Sequence, residues 1–167
     1  MVGVRASGKT VILNRIKLNE FKQSIHTMNF NIENITFKGL DVDVWDIGDS
    51  GDRIRPLWCH FYYNADGFIY VVDSSDIVNI NESRYVLSES VLEKIEIPNP
   101  IMLVYANKQD LPNSHTPSEI GESLQLGNVP NLTWKVQGAS AKTGDGIFEG
   151  FEWLIEQIKA RGFIYDF

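Results

Sequence analysis

The chain has 167 residues, enough for one domain with a sizeable core, and 43% of them are hydrophobic while 22% are charged. The net charge of −7 and the lack of a basic run argue against nucleic acid as a partner. The single cysteine, Cys59, excludes an internal disulfide and fits a reducing compartment.

Helix-like and strand-like segments alternate along the chain. In chain order, helices are predicted in GKTVILNRIKL, SRYVLSESVLEKI, PSEIGESLQL and GIFEGFEWLIEQIKA, and strands in FKGLDVDVWDI, GFIYVVD, IMLVYANK and LTWKVQGAS. The runs FIYVV and IMLVYA are continuously apolar, which is typical of strands that are covered on both faces. We therefore expect a single α/β domain over residues 1–167, with a doubly wound, mostly parallel sheet and helices on both faces.

A phosphate-binding motif opens the first helix. GVRASGKT, residues 3–10, matches G-x-x-x-x-G-K-[ST] without a gap. The two glycines let backbone N–H groups point at phosphates, the lysine adds positive charge, and the threonine hydroxyl suits Mg²⁺. The alternative is an ordinary glycine turn, because only two residues stand where the motif needs a strand, and we expect two residues to be too few to fill a core position. The residues predicted to contact the phosphates are Arg5, Ala6, Ser7, Gly8, Lys9 and Thr10.

Two later segments indicate that the nucleotide is a guanine nucleotide. In NKQD, the Asp110 carboxylate can accept hydrogen bonds from guanine N1–H and the 2-amino group, a donor pair that adenine lacks. Asn107 can brace the phosphate loop, and in GASAKTG the Ala141 N–H can donate to guanine O6. One N-K-x-D often marks a plain turn, but here three elements each follow a strand, at the sheet edge where ligands bind. The residues predicted to contact the base are Asn107, Lys108, Asp110, Ser140, Ala141 and Lys142.

Together these segments resemble small GTPases of the Ras superfamily, and most of all the Arf/Arl (ADP-ribosylation-factor-like) branch. The resemblance is carried by VWDIG, DRIRPLW, VVDSSD, NKQDLPN and TGDGIFEGFEWL, in addition to the phosphate loop. It implies a P-loop NTPase small G domain with a six-stranded, mostly parallel sheet. It also implies a cycle in which GDP or GTP binds with Mg²⁺, two switch segments change, and effector proteins of vesicle-mediated transport are recruited in the GTP form.

The resemblance assigns roles to residues outside these motifs. It implies that a switch I threonine and an aspartate after a strand hold Mg²⁺ with the loop threonine, which gives the metal set Thr10, Thr27 and Asp46. It also implies an apolar effector surface formed by Phe30, Trp45 and Phe61. The sequence leaves open that Thr27 is an ordinary loop residue and that the aromatic side chains belong to the core.

Switch II departs from the family pattern. The family has WDVGGQ before D-[KR]-I-R-P-L-W, whereas this chain has WDIGDSG, which is one residue longer. Asp49 thus stands where a glycine N–H should meet the γ-phosphate, and Ser50 or Gly51 replaces the glutamine that orients water, so no catalytic residue is assigned. Since positioning and charge stabilisation supply nearly all catalysis in this class, we expect very slow GTP hydrolysis.

Asp49 also raises a question of charge, because a carboxylate near a γ-phosphate repels it. Arg5 stands where the Arf branch usually has aspartate. We hypothesise that the Arg5 side chain pairs with Asp49 and offsets this repulsion. The alternative is that both are exposed charges on mobile loops.

Two functions remain open at this stage. One is a regulatory switch with exchange or activating factors and effector proteins as partners. The other is a catalytically inactive, nucleotide-bound scaffold in a larger assembly, which the missing glutamine favours. We expect a cytoplasmic protein, or one that reaches the periphery of membranes only through upstream residues or partners.

Overall fold

The computed structural model describes residues 1–22, 30–49, 51, 54–76 and 78–162. Its centre is a parallel sheet in the order β3-β4-β5, made of Phe68–Asp73, Ile101–Asn107 and Thr133–Gly138. In β4 all seven residues are buried, as a continuously apolar strand covered on both faces should be. These three strands confirm the predictions from GFIYVVD, IMLVYANK and LTWKVQGAS.

An antiparallel hairpin precedes this sheet in the chain. It consists of β1 (Phe30–Phe37) and β2 (Leu40–Ile47). Lys38 and Gly39 between them have φ angles of 48° and 78°, as a two-residue type I′ turn requires. The strand predicted in FKGLDVDVWDI is confirmed over Leu40–Ile47, which is β2, but its first residue, Phe37, ends β1, and Lys38 and Gly39 form the turn. Strand β1 was not predicted because its apolar residues do not alternate regularly: Phe30 and Ile32 are exposed, and the polar pair Glu33 and Asn34 precedes the buried Ile35.

Met1 and Val2 lie between the hairpin and the parallel sheet. Ile47 N–H donates to Met1 O at 3.0 Å, and Val2 exchanges hydrogen bonds with β3 through Ile69 O at 2.9 Å and Val71 N–H at 3.0 Å. Val2 is only 2% exposed and belongs to the core. The expectation that two residues cannot fill a core position is thus wrong. With these two residues in the place between β2 and β3, the predicted fold class and its mostly parallel sheet are confirmed.

Within the described part of the chain, four α-helices flank the strands: α1 (Lys9–Leu18), α2 (Ile80–Val86), α3 (Pro117–Ser123) and α4 (Ile147–Ala160). The segment predicted as one helix in SRYVLSESVLEKI instead begins at Ile80, changes to a π-helix over Leu87–Val91 and ends in a 3₁₀ turn at Leu92–Lys94. Helix α3 opens with a Thr116–Glu119 capping box and is shorter than PSEIGESLQL suggested. Short 3₁₀ helices cover Arg55–Phe61 and Leu126–Asn128.

Buried side chains form two apolar clusters, one on each face of the sheet. Alternation along β3 and β4 produces this division, since Tyr70 and Val104 belong to one cluster and Val71 and Tyr105 to the other. The first cluster includes Trp58 of the 3₁₀ helix, and the second includes residues of α1 and α4. Among the described residues, no helix is both long and apolar enough to cross a bilayer.

Candidate nucleotide-binding site

The loop between Val2 and α1 has the backbone geometry of a phosphate cradle. Gly3 has φ 147°, and a Cβ there would lie 2.3 Å from Val71 O; Gly8 has φ 99°, and a Cβ there would lie 2.3 Å from Asn107 Nδ2. Gly8 is also the N-cap of α1, with no side-chain capping bond and no acidic residue in the first turn. The N–H groups of that turn therefore have no capping side chain and can take an anion.

The motif lysine is folded back along this loop. Lys9 Nζ donates to Gly3 O at 2.8 Å and to Val4 O at 3.2 Å. Burial lowers the pKa of Lys9 to about 8, an effect that Asp46 and Asp49 oppose. Ser7 Oγ, on the same loop, is buried without a hydrogen-bond partner. A phosphate in this loop would supply the missing negative charge and acceptor atoms.

Two of the three predicted metal ligands lie together. Thr10 Oγ1 donates to Asp46 Oδ2 at 2.5 Å, and Asp46 is fully buried at the end of β2. Asp46 Oδ1 accepts no hydrogen bond. A buried carboxylate oxygen without a partner, next to a hydroxyl, is a donor set that Mg²⁺ or its bound water fits. The third predicted ligand, Thr27, lies outside the described residues.

Asn107 connects the phosphate loop to the segment predicted to bind the base. Its Nδ2 donates to Ser7 O at 2.8 Å, and its Oδ1 accepts from Ala141 N–H at 3.0 Å. The side chain is 1% exposed, so water does not compete for these bonds. The structure therefore has the brace that the sequence predicted. It also gives Ala141 N–H a protein partner, so a contact with guanine O6 would have to share this donor.

The remaining predicted base contacts surround Asp110. Ser140 Oγ donates to Asp110 Oδ1 at 2.7 Å, and Lys142 Nζ lies 3.7 Å from Asp110 Oδ2. Lys108 Nζ contacts Asp73 Oδ2 at 2.5 Å, which fixes the lysine stem beside the end of β3. These residues meet at the carboxyl edge of the parallel strands, where open α/β sheets bind ligands.

Arg15 is a further site residue that sequence reasoning missed. From α1 its guanidinium donates to Ala141 O at 3.2 Å through both Nε and Nη2, and to Lys142 O at 2.6 Å. The side chain thereby holds the backbone of the loop that is predicted to bind the base. No signal in one sequence predicts this contact, because it joins residues that are 126 positions apart.

Switch II differs from the sequence-based hypothesis. The Asp49 carboxylate, which is 1% exposed, receives Arg55 Nε at 2.9 Å and Arg55 Nη2 at 2.8 Å. Arg5 contributes only its backbone N–H, 3.1 Å from Asp49 Oδ2, and its side chain is exposed. The predicted ion pair between the Arg5 side chain and Asp49 is therefore wrong. Gly51 N–H also donates to Asp49 Oδ1, at 2.9 Å, while Ser50 lies outside the described residues.

The environment of Asp49 keeps it ionised. Burial alone would raise the pKa of its carboxyl, but the hydrogen bonds from Arg55, Gly51 and Arg5 hold that pKa below its usual range. The same pairing raises the pKa of Arg55. Trp58 Nε1 donates to Gly48 O at 3.2 Å and fixes the backbone just before Asp49.

The three aromatic residues of the predicted effector surface form one cluster. Ring centroids are 5.7 Å apart for Phe30 and Trp45, 5.3 Å for Phe30 and Phe61, and 5.4 Å for Trp45 and Phe61. Phe30 is 49% exposed and Trp45 is 39% exposed. Phe30 and Trp45 thus lie outside the core, whereas Phe61 is partly buried and packs against it, and the role of the cluster as an effector surface stays a prediction.

Comparison with known proteins bears on the family. The model of the ADP-ribosylation factor family matches residues 1–158. The chain belongs to the ADP-ribosylation factor family. A solved structure of this Arf/Arl kind, the Arl6 BBS3 small GTPase from Trypanosoma brucei with the bound nucleotide analogue GppNp, is similar at 29% identity and a TM-score of 0.78. The match covers 93% of this chain and 92% of that one.

As a member of the Arf family, the chain has the small GTPase fold and belongs among GTP-binding regulatory switches. The family and the fold class predicted from the sequence are both confirmed.

Proposed function

We propose that this Arf-family protein binds GDP or GTP with Mg²⁺ at the carboxyl edge of its sheet and recruits effector proteins, with very slow or absent GTP hydrolysis. Asn107 is the observation that carries this proposal. Its two buried hydrogen bonds tie the phosphate loop to the base-binding loop, so that both halves of a nucleotide would meet one connected frame. Such a frame is pre-organised for a ligand that spans both halves.

Each part of the nucleotide has candidate partners in this frame. The phosphates would lie on the N–H groups of the loop and the start of α1, and Asp110 would accept from the guanine edge. Thr10 and Asp46 would hold Mg²⁺ together with Thr27. When bound, the ion supplies charge neutralisation at the β- and γ-phosphates.

Slow hydrolysis follows from the chemistry of switch II. At the position of the usual glutamine stands Ser50 or Gly51, and neither offers a carboxamide that orients water and contacts the γ-phosphate oxygens at once. Asp49 adds negative charge in the same region. A partner that supplies an arginine to stabilise the transition state would still lack the glutamine that orients the attacking water.

The aromatic cluster supports effector recruitment. Phe30 and Trp45 expose apolar ring surface on the hairpin, and Ile32 and Leu57 are also among the exposed large apolar residues. Large aromatic side chains are enriched at the centres of protein interfaces. A protein partner in the GTP form is therefore the occupant that we propose for this surface.

One observation favours the alternative, a nucleotide-bound scaffold that does not switch. The segment around switch II is held by the Asp49–Arg55 pair and by the bond from Trp58 to Gly48. A switch must move this segment when its nucleotide changes. The scaffold proposal requires only that it stays in place.

Three measurements on one preparation test these proposals. The nucleotide released on denaturation is identified by anion-exchange chromatography, and its absence together with failure to load would contradict nucleotide binding. Single-turnover hydrolysis at the ordinary rate of an Arf-family protein would contradict slow hydrolysis. Ready nucleotide exchange after Mg²⁺ chelation supports the switch, whereas retention of the nucleotide supports the scaffold.

A further inference from the structure

The Asp49 carboxylate accepts a hydrogen bond from a backbone N–H group of the predicted phosphate loop. The Arg5 N–H belongs to the run of backbone groups that a phosphate loop directs at its ligand, and here it donates to Asp49 Oδ2 at 3.1 Å. A carboxylate oxygen and a phosphoryl oxygen are anionic acceptors that compete for the same N–H. Because Asp49 follows the end of β2, the strand that also carries the predicted metal ligand Asp46, it would approach the outermost phosphate of a nucleotide bound in the loop.

Arg55 holds this carboxylate in place. Its guanidinium binds both carboxylate oxygens in a fork, and Nη2 also donates to Glu82 Oε1 of α2 at 2.7 Å. Arg55 is 13% exposed and Asp49 is 1% exposed, so the pair is shielded from water. A bidentate pair of this kind is geometrically specific. Asp49 is therefore fixed against the loop and is not a free charge on a loose segment.

The γ-phosphate of GTP would meet the Asp49 carboxylate directly, whereas the β-phosphate of GDP need not come close to it. GTP could bind fully only if Asp49 gave up Arg5 N–H and the like charges separated. With GDP bound, no phosphate would occupy this outer position, and the Asp49 carboxylate would keep its hydrogen bond from Arg5 N–H.

We propose that Asp49 is a built-in substitute for the terminal phosphate, which makes this site selective for GDP over GTP, with Arg55 as the residue that positions it. The inference rests on the proposed guanine-nucleotide site. It adds a specificity determinant that the phosphate and base motifs do not contain. It also assigns the GDP-bound form as the resting state of this chain.

The test compares affinities for GDP and for the non-hydrolysable GTP analogue GppNp, by competition against a fluorescent guanine nucleotide with Mg²⁺ present. We expect the wild-type chain to prefer GDP by between about fivefold and about a thousandfold. This is the range that repulsion between unit charges about 4 Å apart gives for dielectric constants between that of water and about 20. The Arg55 guanidinium on the same carboxylate offsets part of this repulsion and places the expected preference towards the lower end of the range. The variants Asp49→Asn and Asp49→Gly should reduce the preference to within about threefold, mainly by strengthening GppNp binding.

A matched control changes the same charge at a distance. Asp41 lies six residues before Ile47, the last residue of β2, which corresponds to about 20 Å along the strand. The variant Asp41→Asn should therefore keep the wild-type preference for GDP. Equal affinity of the wild-type chain for GDP and GppNp would overturn the inference alone, as would an equal loss of both ligands in the Asp49 variants. Failure of the wild-type chain and of every variant to bind either nucleotide would overturn the proposed function as well.

Discussion

Replacing Asn107 should weaken both the fold and the nucleotide site, because this side chain bridges two loops from a buried position. Asn107→Ala removes the donor to Ser7 O at 2.8 Å and the acceptor of Ala141 N–H at 3.0 Å. A buried polar group that loses its partner costs about 1–3 kcal/mol. Two such groups give roughly 2–6 kcal/mol, and we expect about 2–4 kcal/mol because the vacated space can admit a water. That is a large fraction of the ~5–15 kcal/mol by which domains are stable.

Urea unfolding with and without GDP separates the two effects. At a GDP concentration of about 100 times Kd, the wild-type chain should gain about 2.7 kcal/mol from the ligand. If the variant binds tenfold more weakly, its gain at the same GDP concentration falls to about 1.4 kcal/mol. A second variant, Asn107→Asp, separates the two hydrogen bonds. It keeps an acceptor for Ala141 N–H but replaces the donor to Ser7 O with a second acceptor.

Asn34→Ala serves as the matched control, because that exposed amide bonds only to the Asp43 carboxylate in the described part of the chain. Surface changes of this kind stay within about 0.5 kcal/mol. The reasoning would be refuted if Asn107→Ala lost no more stability than Asn34→Ala and kept the full gain from GDP.

Three further predictions follow from single contacts. Gly8→Ala should abolish GDP binding in a fluorescence assay, because the new Cβ would lie 2.3 Å from the buried Asn107 Nδ2. Gly39→Ala is the control, because Gly39 also has a positive φ of 78° but a Cβ there would meet no atom within 4 Å, so this variant should bind GDP normally. Arg15→Leu should weaken GDP binding about tenfold by loosening the loop at Ala141, and Arg15→Lys should recover little because it loses the fork. The folded pKa of Asp49 lies below its ordinary value of 3.8, so the advantage of the wild-type chain over Asp49→Asn in unfolding free energy should be complete above that value. The advantage should shrink as the pH falls through the folded pKa; a difference that stays constant in urea titrations from pH 6 to pH 2.5 would contradict the pairing.

The parts of the fold that were predicted correctly are those in which sequence and environment agree locally. β3 and β4 are apolar at nearly every position because helices cover both faces, so a short window contains the whole signal. The phosphate loop was predictable for a related reason, since its glycines, lysine and threonine are adjacent in the chain. Asn107 and Asp110 came from a motif whose order along the chain matches the order of the strands.

The misses have a different physical origin. Strand β1 lacks a regular apolar alternation, because Glu33 and Asn34 are adjacent polar residues and the apolar side chains of Phe30 and Ile32 are exposed. Val2 belongs to the sheet because it forms hydrogen bonds with Ile69 and Val71 of β3, which lie 67 and 69 positions further along the chain. Arg15 acts on a loop that is even more distant. For Val2 and for Arg15, the partner that decides the role of the residue lies far along the chain.

The pairing of Asp49 shows the limit most clearly. The sequence suggested Arg5 as the partner, because it replaces the aspartate that the Arf branch usually has. In the structure the partner is Arg55, which begins a 3₁₀ helix that contains the buried Trp58. Breaking a buried pair by removing one partner costs about 3–5 kcal/mol. A nucleotide can shift this segment only by as much as its affinities for the two arrangements differ. For GTP to act as a switch here, its γ-phosphate must therefore supply free energy of that size, for example by taking Arg55 as its own counter-ion, and otherwise the chain remains a GDP-bound scaffold.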